Sequence, residues 1–360
     1  MEIKFTGAGK IQTITIPDDM VFRGNLDLSD MGLTELPDLS AVTVTGDFDC
    51  SYNKLTTLNG APKSVGGNFV CSESQLTSLV GAPQTVGGDF VCSWNQLTSL
   101  VGAPQTVGGY FGCVWSQLTT LAGAPKSVGK HFICVSNQLT TLYGAPQTIG
   151  GDVDCSWNRL TSLAGAPQTV DGDFCCKFNQ LTSLVGCPQK INGDFDCSWN
   201  NLTTLAGGPQ TVGGNFCCKF NQLTSLVGCS QTVGGNFCCN FNQLTSLVEC
   251  PQKINGDFDC HWNDLTTLVG GPQTVGGNFK CHVNHLGSLA GGLQSVGGDF
   301  YCHVNPLASL VGLPEEFCGD FICDNQRLVQ EYKKIKQTRL GIKQKGFLIR
   351  LFGRLKQNMK

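Results

Sequence analysis

From residue 26 to residue 328 the apolar and polar positions recur on one period. Cysteine stands at 50, 71, 92, 113, 134, 155, 176, 197, 218, 239, 260, 281, 302 and 323, and every step is 21 residues. Relative to these cysteines, Phe lies two before, from Phe48 to Phe321, with Val153 the one exception. Leu lies five after, from Leu55 to Leu328, and also eight after, up to Leu310. Asn lies three after, except at Ser74, Ser116 and Gln326. Pro is frequent twelve after, and Val or Ile lies fifteen after until Phe317. An earlier degenerate copy runs Leu26, Leu28, Leu33, Leu36, with one extra residue before Phe48.

Phe-x-Cys alternates as a short strand buried on one face. Asn turns the chain and its amide can bond nearby backbone. The Leu and Val columns point back inward, and Gly-Ala-Pro and Gly-Gly supply corners. No stretch of the repeat holds a helical period over ten residues. A coil of this kind cannot bury its apolar edge alone, so the copies must stack into a solenoid. At a strand spacing of about 4.8 Å, about fifteen coils make a rod or arc roughly 70 Å long.

The ends depart from the period. Residues 1–21 read as a capping hairpin, with Gly7-Ala8-Gly9-Lys10 as its turn; the spacing is not that of a phosphate loop. After Cys323, Leu328, Tyr332 and Ile335 share one helical face, which predicts a capping helix. The expected division is hairpin 1–21, solenoid 22–328, and basic helical cap or tail 329–360.

Phe90-Val91-Cys92-Ser93-Trp94-Asn95-Gln96-Leu97-Thr98-Ser99-Leu100 resembles the leucine-rich repeat L-x-L-x-x-N-x-L-x-x-L. The short Pro-bearing coil is similar to the bacterial type found in secreted effectors. This chain has Phe and Cys where that family favours Leu and Val, and Gly-Ala-Pro where it reads Leu-Pro. The resemblance implies a β-rich arc or rod with one parallel sheet of about 14–15 short strands. A parallel β-helix is the alternative. It also implies a protein partner held on the concave strand face, and an effector or phage origin. Some effectors with this repeat carry a C-terminal ubiquitin-ligase domain with a catalytic Cys; the 32 residues after Leu328 contain no Cys, and that activity is not expected here.

Columns that vary mark the surface. One before each Cys the chain carries, among others, Asp154, Asp196 and Asp259, positions that face the concave side of such a repeat. Two after each Cys runs an aromatic stripe of Tyr52, Trp94, Trp115, Trp157, Phe178, Trp199, Phe220, Phe241 and Trp262, including all five Trp. Rings stacked as a structural ladder are one reading; an exposed track for a peptide, a glycan or a partner's loop is the other. Three before each Cys an Asp/Asn column, Asp47 to Asp320, caps the Gly-Gly turn, holds a cation or receives a basic partner. Its charge argues against nucleic acid on this face. His261, His282 and His303 share a column on three consecutive coils; a shared Zn2+ is conceivable there, yet no residue completes the shell, and no metal or cofactor is expected. Thr-Ser pairs such as Thr98-Ser99 lie between inward leucines. Flat Thr rows occur in ice-binding solenoids, but backbone bonding explains these more simply.

Composition sharpens the picture. Of 21 cysteines, fourteen belong to the repeat column, where they fill core space. The net charge of −3 conceals an asymmetry: residues 327–360 hold eleven Lys/Arg and one acid, against 13 basic and 26 acidic residues in 1–326. Phe347, Arg350, Leu351, Arg354 and Leu355 give the tail a basic amphipathic pattern suited to an anionic membrane or an acidic partner. No secretory core or membrane span is legible, so a reducing cytoplasm is the expected setting, with non-classical secretion or a virion as alternatives. No Ser/His/Asp or Cys/His arrangement emerges. The sequence therefore predicts a non-enzymatic protein-recognition scaffold. A membrane-anchored structural protein, or a glycan- or ice-binding solenoid, is the alternative.

Overall fold

The computed structural model describes residues 2–7, 9–291 and 293–339. The 21-residue period is one coil of a parallel stack. Each coil contributes a two-residue Phe-x strand, and these strands, from Leu26–Asp27 to Phe321–Ile322, form one fifteen-stranded parallel sheet in chain order. Register is set by the period: Phe69 pairs Phe90, which pairs Phe111.

The expected sheet is accompanied by a second row of strands. The Val/Ile fifteen after each Cys ends a two-residue strand, giving a seven-stranded sheet from Val21–Phe22 to Thr148–Ile149 and an eight-stranded one from Thr169–Val170 to Glu316–Phe317. The break coincides with Asp171. In that column a Cβ on Gly150 would lie 2.2 Å from the carbonyl oxygen of Gly129 one coil back. Asn192 and Asn255 occupy the same column and the sheet continues through their coils, so a Cβ there is tolerated where the coil adjusts.

Two ladders fill the interior. Phe rings of successive coils lie 5.0–6.1 Å apart, centroid to centroid, and are buried; each pair adds about 0.5–1.5 kcal/mol beyond area burial. From Cys50 to Cys302 the cysteine column is also buried, and several of its thiols donate forward to the next coil's carbonyls. Cys92 reaches the Gly112 carbonyl at 3.5 Å and Cys155 that of Cys175 at 3.4 Å. A thiol therefore does what valine cannot: it fills a small apolar site and meets a backbone acceptor.

The Asn column closes the turn. Asn158 Nδ2 donates to the carbonyls of Cys155 in its own coil and Cys134 in the preceding one, both at 3.0 Å, and its Oδ1 accepts from the Leu139 amide at 3.0 Å. Buried backbone groups that no strand satisfies are satisfied here.

At the N-terminus Glu2–Gly7 pairs antiparallel with Lys10–Thr15, and Ile14 and Ile16 enter the common core. At the other end residues 326–339 form a helix. Asn325 caps it, accepting from the Leu328 amide. Leu328 and Tyr332 are buried and Ile335 packs beside them, as the helical spacing predicts. Arg339 donates to the carbonyls of Pro314 and Glu315 at 2.8 and 3.1 Å. No helix among the described residues is long and apolar enough to cross a membrane. Phe347, Arg350, Leu351, Arg354 and Leu355 lie outside the described residues.

Candidate binding face

The residues one before, one after and three before each Cys form the open face of the fifteen-stranded sheet, and the aromatic column runs along its edge. Every residue of that column from Tyr52 to Val304 adopts a left-handed backbone, with φ between 50° and 57°. For a residue other than Gly this costs roughly 1–2 kcal/mol, and for β-branched Val283 and Val304 the conformation is rarer still. The turn imposes the backbone; the ring is not there to support it.

The rings stack, and they stack outside. Trp157, Phe178, Trp199, Phe220, Phe241 and Trp262 make one uninterrupted pile across six consecutive coils, with centroids 4.0–5.6 Å apart and planes within 16°. Trp94 and Trp115 form a separate pair at 5.2 Å. Glu73 and Ser136 interrupt the column, and Tyr52 hydrogen-bonds Glu73 across the first gap. Tyr52 and the five Trp remain 45–57% exposed. The stripe is thus an aromatic edge stacked on itself, with its Tyr and Trp open to solvent and Phe178, Phe220 and Phe241 half-buried. Where Val283 and Val304 replace rings, a hollow of ≈ 700 Å³ opens beside Trp262, lined also by His285, Pro306 and Asp324.

The Asx column caps the turn, in each case across to the next coil. Asp152 Oδ1 accepts from the Asp173 amide at 2.8 Å, and Asp173 Oδ1 from the Asp194 amide at 2.7 Å. This explains the second glycine of Gly-Gly: a Cβ on Gly172 would stand 2.0 Å from Asp152 Oδ1. One coil tests the rule. Tyr110 replaces the Asx, its ring lies over Gly112, and Lys130 occupies the glycine position above it. His131 Nδ1 then resumes the column, accepting from the Asp152 amide at 3.0 Å.

Asp154, Asp196 and Asp259 project from the sheet face and accept from the amide two residues on, at 2.9, 3.0 and 3.3 Å. With Asp152, Asp173 and Asp194, the first two line an acidic hollow of ≈ 260 Å³ bounded by Ile133 and Cys175. Towards the N-terminus the same face turns apolar at Val70, Val91, Gly112 and Ile133, beside Trp94 and Trp115.

His261, His282 and His303 stack face to face at 4.4 Å, with planes 6° and 17° apart. Parallel rings set their nitrogens side by side rather than towards a common centre. Among the described residues no three His, Cys, Asp or Glu side chains converge on a metal position. His261 Nδ1 pairs with Asp259. Burial and the two flanking imidazoles pull His282 down to about 4, and Nδ1 of both His282 and His303 is buried without a partner.

The Thr/Ser pairs bond backbone: Thr77 Oγ1 donates to the Thr56 carbonyl at 3.4 Å, and Ser78 Oγ accepts from the Val80 amide at 3.1 Å. A second exposed row escaped the sequence reading. Val80, Val101, Tyr143, Val185, Val227, Val248, Val269 and Val311 follow the second Leu of their coils and lie in the open. A Val-Gly step recurring after that Leu was the available signal.

A parallel sheet of F-x-C strands, closed by an asparagine that bridges consecutive coils, decides the architecture. The fold is a parallel β-solenoid of stacked 21-residue coils. No family model and no curated protein matches the chain. Among solved structures it is similar to YopM from Yersinia enterocolitica WA-314, at 17% identity over 83% of this chain and 91% of that one, with a TM-score of 0.30. It is also similar to YopM, a leucine-rich effector protein from Yersinia pestis, at 16% identity over 82% and 88% of the two chains, with a TM-score of 0.43.

Proposed function

We propose that this leucine-rich-repeat solenoid is a non-catalytic scaffold that holds a protein partner against its concave strand face and aromatic edge, in the manner of a bacterial effector or phage accessory protein. The observation that carries this reading is the exposed aromatic pile. Large rings stand on six consecutive coils at backbone positions that favour Gly or Asn, and the three Trp among them are about half exposed to water while the three Phe are half-buried. Trp and Tyr in that setting offer rigid contact area at low entropic cost. The acidic hollow beside the pile favours a partner with basic side chains and disfavours nucleic acid.

The test is Trp157→Ala/Trp199→Ala. Affinity capture with the wild-type chain, read by mass spectrometry, is expected to retain a protein that the double variant loses, while the urea midpoints of the two stay within the small loss expected from two stacked pairs. Retention of the same proteins by both would overturn the reading. Unfolding of the double variant would show the rings to be structural.

A further inference from the structure

Seven cysteines lie outside the core column. Of these, Cys217 and Cys238 stand directly opposite each other on neighbouring strands of the open sheet face. Both are free and half-buried, and their thiols are in hydrogen-bond contact. Neighbouring strands run about 4.8 Å apart, inside the roughly 4.4–6.8 Å Cα separation that a disulfide spans. Cys175 has no such neighbour, because Asp196 lies between it and Cys217 in the register. Cys229 and Cys250, neighbours at a corner, are both buried in the core.

We infer that Cys217 and Cys238 are a reversible dithiol–disulfide pair on the sheet face, oxidised by exchange with a low-molecular-weight disulfide such as oxidised glutathione. The two sulfurs are not equivalent. The Cys217 thiol donates to Cys238, which lowers the Cys238 pKa against the opposing effects of burial and of the Asp259 carboxylate, with Lys219 and Lys280 adding to the lowering; the same contact raises Cys217. Cys238 is the attacking thiolate. It bonds to one sulfur of the small disulfide, whose S–S bond breaks and releases one thiolate, which takes up a proton. Cys217 then gives its proton to water and attacks Cys238 Sγ, expelling the second small thiol. The pair loses two electrons and two protons, and the small disulfide gains both as two thiols. From Cys50 to Cys281 the core column stays out of this exchange, because burial seals its thiols and pushes them far up; at the end of the column Cys323 is half-buried and its contact with Cys302 pulls it down to about 7, so its glutathione adduct is mapped separately.

The experiment treats the folded full-length chain with oxidised glutathione at neutral pH, blocks free thiols with N-ethylmaleimide, and maps linkages by mass spectrometry after trypsin. Cleavage after Lys190, Lys219 and Lys253 puts the two cysteines on separate peptides. A Cys217–Cys238 link that dithiothreitol reverses is the expected product. Cys217→Ser is expected to stop at a glutathione adduct on Cys238. Cys238→Ser is expected to slow modification of Cys217 by roughly tenfold, with Cys238→Ala as a second variant should the first disturb the fold. Three results would overturn the inference: both cysteines unmodified, an adduct on Cys238 that never resolves in the wild type, or Cys217 reacting at its wild-type rate in both Cys238 variants.

Discussion

Replacing Asn158 with Ala removes one rung of the asparagine ladder while leaving the apolar core untouched. Asn158 is 7% exposed. Its loss leaves the Leu139 amide without the acceptor at 3.0 Å. It also takes one of two side-chain donors from the Cys134 carbonyl, which keeps Asn137 at 3.1 Å, and one from Cys155, which keeps Asn179 at 3.1 Å. An orphaned buried amide costs about 1–3 kcal/mol and each weakened carbonyl a fraction of a normal bond, so the total is about 2–4 kcal/mol. Urea denaturation followed by tryptophan fluorescence measures it as a lower midpoint at unchanged slope. Hydrogen exchange localises it, because the Leu139 amide should open about 30-fold or more faster. The chain supplies its own converse. Ser116 stands where the ladder has Asn, and its hydroxyl is buried without a partner. Ser116→Asn should restore the rung and stabilise by about 1–2 kcal/mol. If Asn158→Ala unfolds at the wild-type midpoint, or Ser116→Asn is no more stable than wild type, the ladder is not what closes the coil.

The remaining predictions probe other columns. Phe195→Ala, in the inner ladder, should cost about 3–5 kcal/mol, whereas Trp199→Ala in the outer pile should cost under about 2 kcal/mol; equal urea midpoints would place the Trp in the core. Tyr110→Asp should destabilise by driving a carboxylate oxygen against the Cβ of Lys130, and Tyr110→Asp/Lys130→Gly should recover most of the loss; a double-mutant cycle with no coupling would refute the pairing. His282 has a folded pKa of about 4 against an ordinary 6.5. The unfolded chain therefore binds the proton first, so stability is full above pH 6.5 and is lost as pH falls towards 4. Midpoints measured from pH 7 to pH 4.5 should drop less steeply in His282→Phe, which keeps the stack without the charge.

The period of 21, the inward Phe, Cys, Leu and Val columns and the parallel sheet were all legible in the sequence, because a repeated coil repeats its burial and the pattern survives averaging over many copies. The capping helix was legible for the same reason: Leu328, Tyr332 and Ile335 share one face at helical spacing. The second row of strands was not, since Thr-Val followed by glycine reads as a corner until stacking brings each copy within bonding distance of the next. The aromatic column was visible as a column, but whether it faced in or out depended on a left-handed turn that no residue in it advertises. The Asp column, ambiguous among cap, cation site and docking surface, became an inter-coil cap only when the next coil's amide lay against it. The exposed valine row and the Tyr110–Lys130 exchange also emerged from the stack. Sequence by itself determined what each coil must bury. The tertiary structure decided what adjacent coils do for one another, because those contacts join residues 20 or so apart whose partnership depends on a spacing of under 5 Å along the rod.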